Sequence, residues 1–240
     1  MEKSISIVIP AYNEGLELEK TINDVGNIAK SVFSDYEILL FDDCSTDETG
    51  KIADKLALKN RKIRVFHNKR NMNMGYNFKM GIKNASKKYV MLLSGPDSVS
   101  LESIKGFLKE IKSSNDGASI SSYIANQEIR PGYRQKISHL VAGTLNLMFG
   151  LNLKYYFGMQ AYETERIKKI KVTTNSFGAL AELLIRSIKA GIPHRHIPYY
   201  VRRTTGTSTT AFRFRNVAGI ILMAIRVFFE TNFAKQRMLK

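Results

Sequence analysis

Apolar positions in the first half of the chain fall into two alternating rhythms. Short and nearly unbroken apolar runs occur at residues 6–10, 36–41, 62–67 and 89–93. Between them lie stretches with helical spacing, residues 16–29, 49–59 and 77–85. A fourth helical stretch, 101–113, follows the last run, with Ser100 and Glu102 suited to its start. Strands this uniformly apolar are buried on both faces. Separated by helices, they predict an α/β fold with a mostly parallel central sheet flanked by helices. In such sheets ligands bind beyond the carboxyl ends of the strands, so the loops after Ile9, Phe41, His67 and Leu93 are where chemistry is expected.

The second half is patterned less regularly. Residues 118–124 read as another strand, and 127–136 hold a Pro131-Gly132 turn signal between Arg130 and Arg134. Helices are expected at 137–149 and 177–190, a strand at 197–201, and a polar loop at 202–210. The apolar stretch 216–233 is interrupted by Arg226 and Glu230, and its uncharged part, 216–225, is shorter than the roughly 20 residues needed to cross a bilayer. Arg213, Arg215, Lys235, Arg237 and Lys240 flank it, which suits an amphipathic helix lying at a membrane interface; a core or dimer-interface helix is the alternative. The expected organisation is a nucleotide-type half, 1–120, an acceptor-type half, 121–210, and a basic C-terminal helix, 211–240.

Composition and charge sharpen this division. The chain of 240 residues has a formal net charge of +16 and 44% hydrophobic residues, enough for a buried core and incompatible with disorder. Up to residue 120 there are 18 Lys and Arg against 16 Asp and Glu; beyond it there are 19 against 5, with no aspartate at all. The second half is thus an electrostatic receiver for something anionic, such as a phospholipid surface or a phosphorylated substrate. Nucleic acid is disfavoured because no motif with interleaved basic and aromatic residues appears. A single cysteine, Cys44, excludes an intramolecular disulfide framework, and the start of the chain carries no signal-peptide pattern, so a cytoplasmic setting is expected.

Candidate chemistry sits on the predicted edge. Pro10-Ala11-Tyr12-Asn13-Glu14 follows the first strand and Asp42-Asp43-Cys44-Ser45-Thr46-Asp47 the second. Tyr12 offers a face on which a base can stack, and an aspartate can accept hydrogen bonds from a ring N–H or a ribose hydroxyl. Asp47 or Thr46 also suits the cap of the next helix. These motifs, with Gly75 and Gly81 after Arg70, then Gly132-Tyr133-Arg134, Glu182, and Ile197-Pro198 followed by Arg203, Gly206 and Ser208, resemble glycosyltransferase family 2 over roughly residues 4–210. Within it, the likeness is to the dolichyl-phosphate mannose synthase-like and polyprenyl-phosphate glycosyltransferase branch.

The resemblance implies a GT-A fold, with Pro10, Ala11, Tyr12, Glu14, Asp43 and Arg70 around a nucleotide diphosphate sugar. It implies a divalent metal, Mg²⁺ or Mn²⁺. The Asp-x-Asp of the family is reduced here to Leu93-Ser94-Gly95-Pro96-Asp97-Ser98, leaving Asp97 as the one carboxylate for metal and catalysis. The acceptor is expected to be a polyprenyl phosphate at the cytoplasmic face of the membrane, with Arg130, Arg134, Arg202, Arg203 and Ser208 on its phosphate. A saccharide hydroxyl acceptor, with Glu182 as base, is the alternative. A catalytically degraded nucleotide-sugar-binding protein is a third reading, suggested by the altered metal motif.

Overall fold

The computed structural model describes residues 3–15, 17–95, 98–114, 116–202 and 214–237. The first half runs β1 (Ser4–Ala11), α1 (Glu17–Val32), β2 (Asp35–Asp42), α2 (Thr49–Lys59), β3 (Ile63–His67), α3 (Met74–Asn84), β4 (Tyr89–Leu92) and α4 (Leu101–Ser113). The second half adds β5 (Ser119–Ile124), α5 (Gly132–Phe149), β6 (Gln160–Glu163), α6 (Thr164–Ile167), α7 (Ala179–Lys189), β7 (His194–Tyr199) and α8 (Phe214–Arg237).

The strands form one sheet in the order β3-β2-β1-β4-β6-β5-β7. β1 is parallel to β2 and β4, β2 to β3, and β5 to β7; β6 is antiparallel to both its neighbours. The expected mostly parallel α/β sheet is present, with one reversed strand set into it.

Alternation along β1 shows why its apolar run is unbroken. Ile5, Ile7 and Ile9 face one core with Leu18, Ile22 and Val25 of α1 and Ile104, Phe107 and Leu108 of α4. Val8 faces the other, with Phe78 and Ile82 of α3 and Leu180 and Leu183 of α7. Both faces are covered, so both sets of side chains are apolar, and each fully buried one contributes about 1.5–3 kcal/mol. A Cβ on Gly81 would collide with Val8, so α3 lies against β1 at a distance only glycine permits. A third cluster joins Ala142, Leu145 and Phe149 of α5 to Leu184 and Ile185 of α7 and Met223, Ala224 and Val227 of α8.

Three boundaries differ from expectation for identifiable reasons. β6 is four residues long and begins and ends in polar side chains, so it carries no apolar run to read. The last strand is His194–Tyr199 rather than 197–201; it is paired on one side by β5, and an edge strand tolerates both its histidines and Pro198. The Pro131-Gly132 signal marks a helix start: Pro131 is the N-cap of α5, where a missing N–H removes no intrahelical bond.

Candidate active site at the carboxyl edge

Because β1 to β5 and β7 run the same way apart from β6, the loops after all of these open on one edge. β6 enters the sheet from that edge, opposite Leu92 and Ser121, so the segment before it also arrives there. Four of these loops contain a residue in the left-handed region: Asn13 and Gly15 after β1, Cys44 after β2, Asn73 after β3 and Gly95 after β4. Such backbone costs of order 1–3 kcal/mol at a non-glycine residue and gathers at functional sites.

The loops after β1 and β2 are tied together. Asp43 N–H donates to the Ala11 carbonyl at 2.9 Å, Thr46 N–H to Asn13 Oδ1 at 2.9 Å, and Glu14 N–H to Thr49 Oγ1 at 2.9 Å. Pro10 and Ala11 pair across to Phe41 and Asp42. Tyr12 projects from this platform with 48% of its surface exposed, and Glu14 is exposed beside it. Asp47 Oδ1 accepts from Thr49 N–H at 2.9 Å and so steadies the start of α2, but the N-cap position itself falls to Glu48 rather than to Asp47 or Thr46.

Asp43 organises the loop after β3. Its Oδ1 accepts from Asn68 Nδ2 at 2.8 Å and Met72 N–H at 2.7 Å, and its Oδ2 from Asn73 N–H at 2.9 Å. A carboxylate offers about four acceptor positions, so one remains on Oδ2 for a ligand. Arg70 lies in the loop so held, exposed, with Nε 3.4 Å from Met72 Sδ. The neighbouring Asp42 is a fixed anion: burial acts to raise its pKa, but hydrogen bonds from Ser45 and His67 outweigh it and hold the carboxyl below its usual range.

On the other side, the segment after β7 is stitched to the segment after β4. Arg202 N–H donates to the Ser98 carbonyl at 2.9 Å, Ser100 N–H to the Tyr200 carbonyl at 3.0 Å, and Val99 and Val201 form an antiparallel bridge. Asn126, after β5, clasps Val201 through both its amide atoms, at 2.9 and 3.0 Å. Arg202 is thereby brought beside Ser98, with its side chain exposed. Arg130 is half-buried; its Nη2 donates to Ser138 Oγ at 3.3 Å, while Nη1 is a buried donor without a partner. Arg134 Nε donates to Tyr133 Oη at 3.2 Å and its guanidinium stacks on that ring. Asp97, Arg203 and Ser208 lie outside the described residues.

Glu182 behaves as a structural anchor. It is fully buried, and its carboxylate accepts from Thr173 N–H and Oγ1, Thr174 N–H, Arg186 Nε and Arg226 Nη2 at 2.9–3.1 Å. Burial acts to raise its pKa, yet the bonds from Thr174, Thr173 and Arg186 hold it below the usual range. A carboxylate with filled acceptor positions and no exposed surface does not suit a base for a hydroxyl acceptor. Among the described residues there is also no group of three or more His, Cys, Asp or Glu placed to hold a metal ion. Asp43 keeps one acceptor position and Asp42 is held by Ser45 and His67, so the described side chains do not by themselves supply the several oxygen ligands a divalent cation needs.

Some of the site was not singled out in the sequence. Asn13, Asn68 and Asn126 each hold one loop of the edge to another, and the signal available was only an abundance of asparagine after strands. On β5 and β7, Ser121 Oγ lies 3.2 Å from His194 Nε2 and 2.7 Å from His196 Nδ1, with Lys154 over the ring of Tyr123. Burial pushes both histidines down to about 4; for His196, the neighbouring His194 and Lys154 add to it.

Solved structures share this architecture. Glucosyl-3-phosphoglycerate synthase from Mycobacterium tuberculosis, in complex with uridine diphosphate, superposes with a TM-score of 0.70 at 15% identity, covering 95% of this chain and 80% of that one. Its fold is GT-A, as is the fold here. Among curated proteins, the glycosyltransferase GlyG of Streptococcus pneumoniae is 29% identical over 123 residues, 51% of this chain and 40% of its own. The dolichol-phosphate mannosyltransferase of Pyrococcus furiosus is 26% identical over 187 residues, 76% of this chain and 52% of its own. The chain thus spans about half or less of the length of these relatives. The family model of glycosyl transferase family 2 matches residues 6–179, and the chain belongs to that family.

Proposed function

We propose that this glycosyltransferase moves a hexose-type sugar from a nucleotide diphosphate sugar to a polyprenyl phosphate held at the cytoplasmic face of a membrane. Tyr12 stacks on the base. Asp43, through its one remaining acceptor position and the loop it holds, cradles base and ribose together with Pro10, Ala11, Glu14 and Arg70. The observation that carries the reading is the stitching of Ser98 to Arg202, which sets the donor-side loop against the arginine-bearing loops on one edge.

A phosphate acceptor matches the groups available. An acceptor phosphate oxygen attacks the anomeric carbon, the bond from that carbon to the donor diphosphate breaks, and the nucleoside diphosphate leaves with the electron pair, inverting the configuration. The attacking oxygen is already anionic, so no base is required, and Glu182 is not needed for one. What the acceptor needs is positioning by cations. Arg130, whose Nη1 is a buried donor without a partner, is the first candidate, with Arg134, Arg202, Arg203 and Ser208 around it. Mg²⁺ or Mn²⁺, if bound, would rest on Asp97 and the donor's phosphate oxygens and would neutralise charge on the leaving group.

The test is incubation of purified protein with a panel of radiolabelled nucleotide sugars, Mg²⁺ or Mn²⁺, and either polyprenyl phosphate or saccharide acceptors. Label in the lipid product supports the reading. Transfer only to a saccharide would replace it with the hydroxyl-acceptor reading, and binding without turnover would favour a degraded sugar-binding protein.

A further inference from the structure

Helices α5 and α8 pack on each other and on α7 through Ala142, Leu145, Phe149, Met223, Ala224 and Val227. Each carries a second apolar stripe that this packing leaves uncovered. On α5 it is Ile137, Leu140 and Leu147, the last two 71% and 88% exposed; on α8 it is Ile221, Leu222 and Ile225, 54%, 68% and 46% exposed. Steps of three and seven residues on α5, and of one and three on α8, keep each set within about a third of its helix's circumference. Large leucines this exposed, on two adjoining helices, mark an interaction surface.

Charge identifies the partner. α5 contains Arg134, Lys136 and His139 and no acidic residue. The one acid of α8, Glu230, is engaged by Arg186 and Arg226. Further along α8, beside Thr231, a cleft of about 310 Å³ is lined by Lys169, Lys171, Arg186 and Lys189. A second copy of the chain would set this surface against one carrying the same excess of positive charge. An anionic bilayer supplies both what the leucines and what the lysines lack.

We infer that the α5–α8 face is a docking surface for an anionic phospholipid bilayer: the two stripes enter the boundary between headgroups and acyl chains, and Lys136, Lys169, Lys171 and Lys189 meet lipid phosphates. Neither helix crosses; among the described residues no helix is long and apolar enough to do so. Binding of this kind scales with buried apolar area and with attraction to anionic lipid. The inference extends the proposed lipid-phosphate acceptor by saying how the site is delivered to the membrane, and it rests on that reading only for its purpose.

The experiment is sedimentation with vesicles of phosphatidylglycerol and phosphatidylcholine, or of phosphatidylcholine alone, using the full chain, Leu140→Asp/Leu147→Asp, and Lys169→Gln/Lys171→Gln/Lys189→Gln. Light scattering gives the oligomeric state, and a short-chain, water-soluble polyprenyl phosphate reports transfer without a bilayer. The full chain should bind the anionic vesicles, at least tenfold more weakly for either variant, and should not bind phosphatidylcholine. Both variants should keep transfer to the soluble acceptor. Failure of the full chain to bind anionic vesicles, equal binding by the leucine variant, or a dimer that the leucine variant dissociates would overturn the inference. Vesicle binding without transfer to any acceptor would instead sink the proposed function and leave the docking surface standing.

Discussion

Tyr12 and Glu182 illustrate opposite relations between a residue and its environment. Tyr12 stands half exposed on a platform whose bonds are satisfied elsewhere, so its ring is available to a ligand. Tyr12→Ala should weaken nucleotide-sugar binding about tenfold or more, because stacking on a base is worth about 1–3 kcal/mol, while Tyr12→Phe should retain it. Titration calorimetry checks both. Glu182 is enclosed by five donors, and Glu182→Ala should cost about 3–5 kcal/mol in urea unfolding, as removal of one partner from a buried ion pair does. The place of Tyr12 and Asp43 at the carboxyl edge of the sheet was legible because each belongs to a short motif directly after a strand. The surroundings of Glu182 were only partly so: Arg186 stands one turn on along the same helix, but Thr173 and Arg226 come from two other segments, and no spacing along the chain announces that they converge.

At the scale of elements, the sheet depends on close approaches that fix what may sit where. Gly81→Ala would drive a methyl into Val8, and overpacking of this kind costs about 1–3 kcal/mol; thermal unfolding should show the loss without altered β-sheet signal. The pairing of β5 with β7 makes a different prediction. His194 and His196 face Ser119, Ser121, Tyr123 and Lys154, and burial holds both near 4, below the ordinary 6.5. Between pH 6.5 and 4 the unfolded chain takes up protons that the folded chain refuses, so stability should fall as the pH drops through that window. Replacing both with glutamine should flatten the decline. His67 acts in the opposite sense: the hydrogen bonds its ring N–H groups donate to Asp42 and Asp54 raise its pKa, so its contribution is present in acid and is lost as the pH rises through that raised value. A His67→Asn control therefore separates the two in urea titrations at several pH values.

The elements of the first half were readable because each strand is apolar on both faces and each helix between them is long enough to show its period. In the second half that logic weakens. β6 is short, polar at both ends and reversed, and β7 is an edge strand, so neither needs the unbroken apolar run that announces a central strand.

For the molecule as a whole, the division of charge noted in the sequence acquires a location. The loops of the proposed donor side come from the nearly balanced first half, and Arg130, Arg134 and Arg202 of the proposed acceptor side from the cationic second half. Composition could report the imbalance but not its placement, which depends on Asn126 and Ser98 drawing the segments after β4, β5 and β7 together. The most direct measurement of the account is the partition of label between aqueous and organic phases after the protein is mixed with radiolabelled nucleotide sugar and polyprenyl phosphate. The account predicts label in the organic phase, reduced at least tenfold by Arg130→Ala. Label that stays aqueous with every donor, with and without added divalent metal, would contradict it.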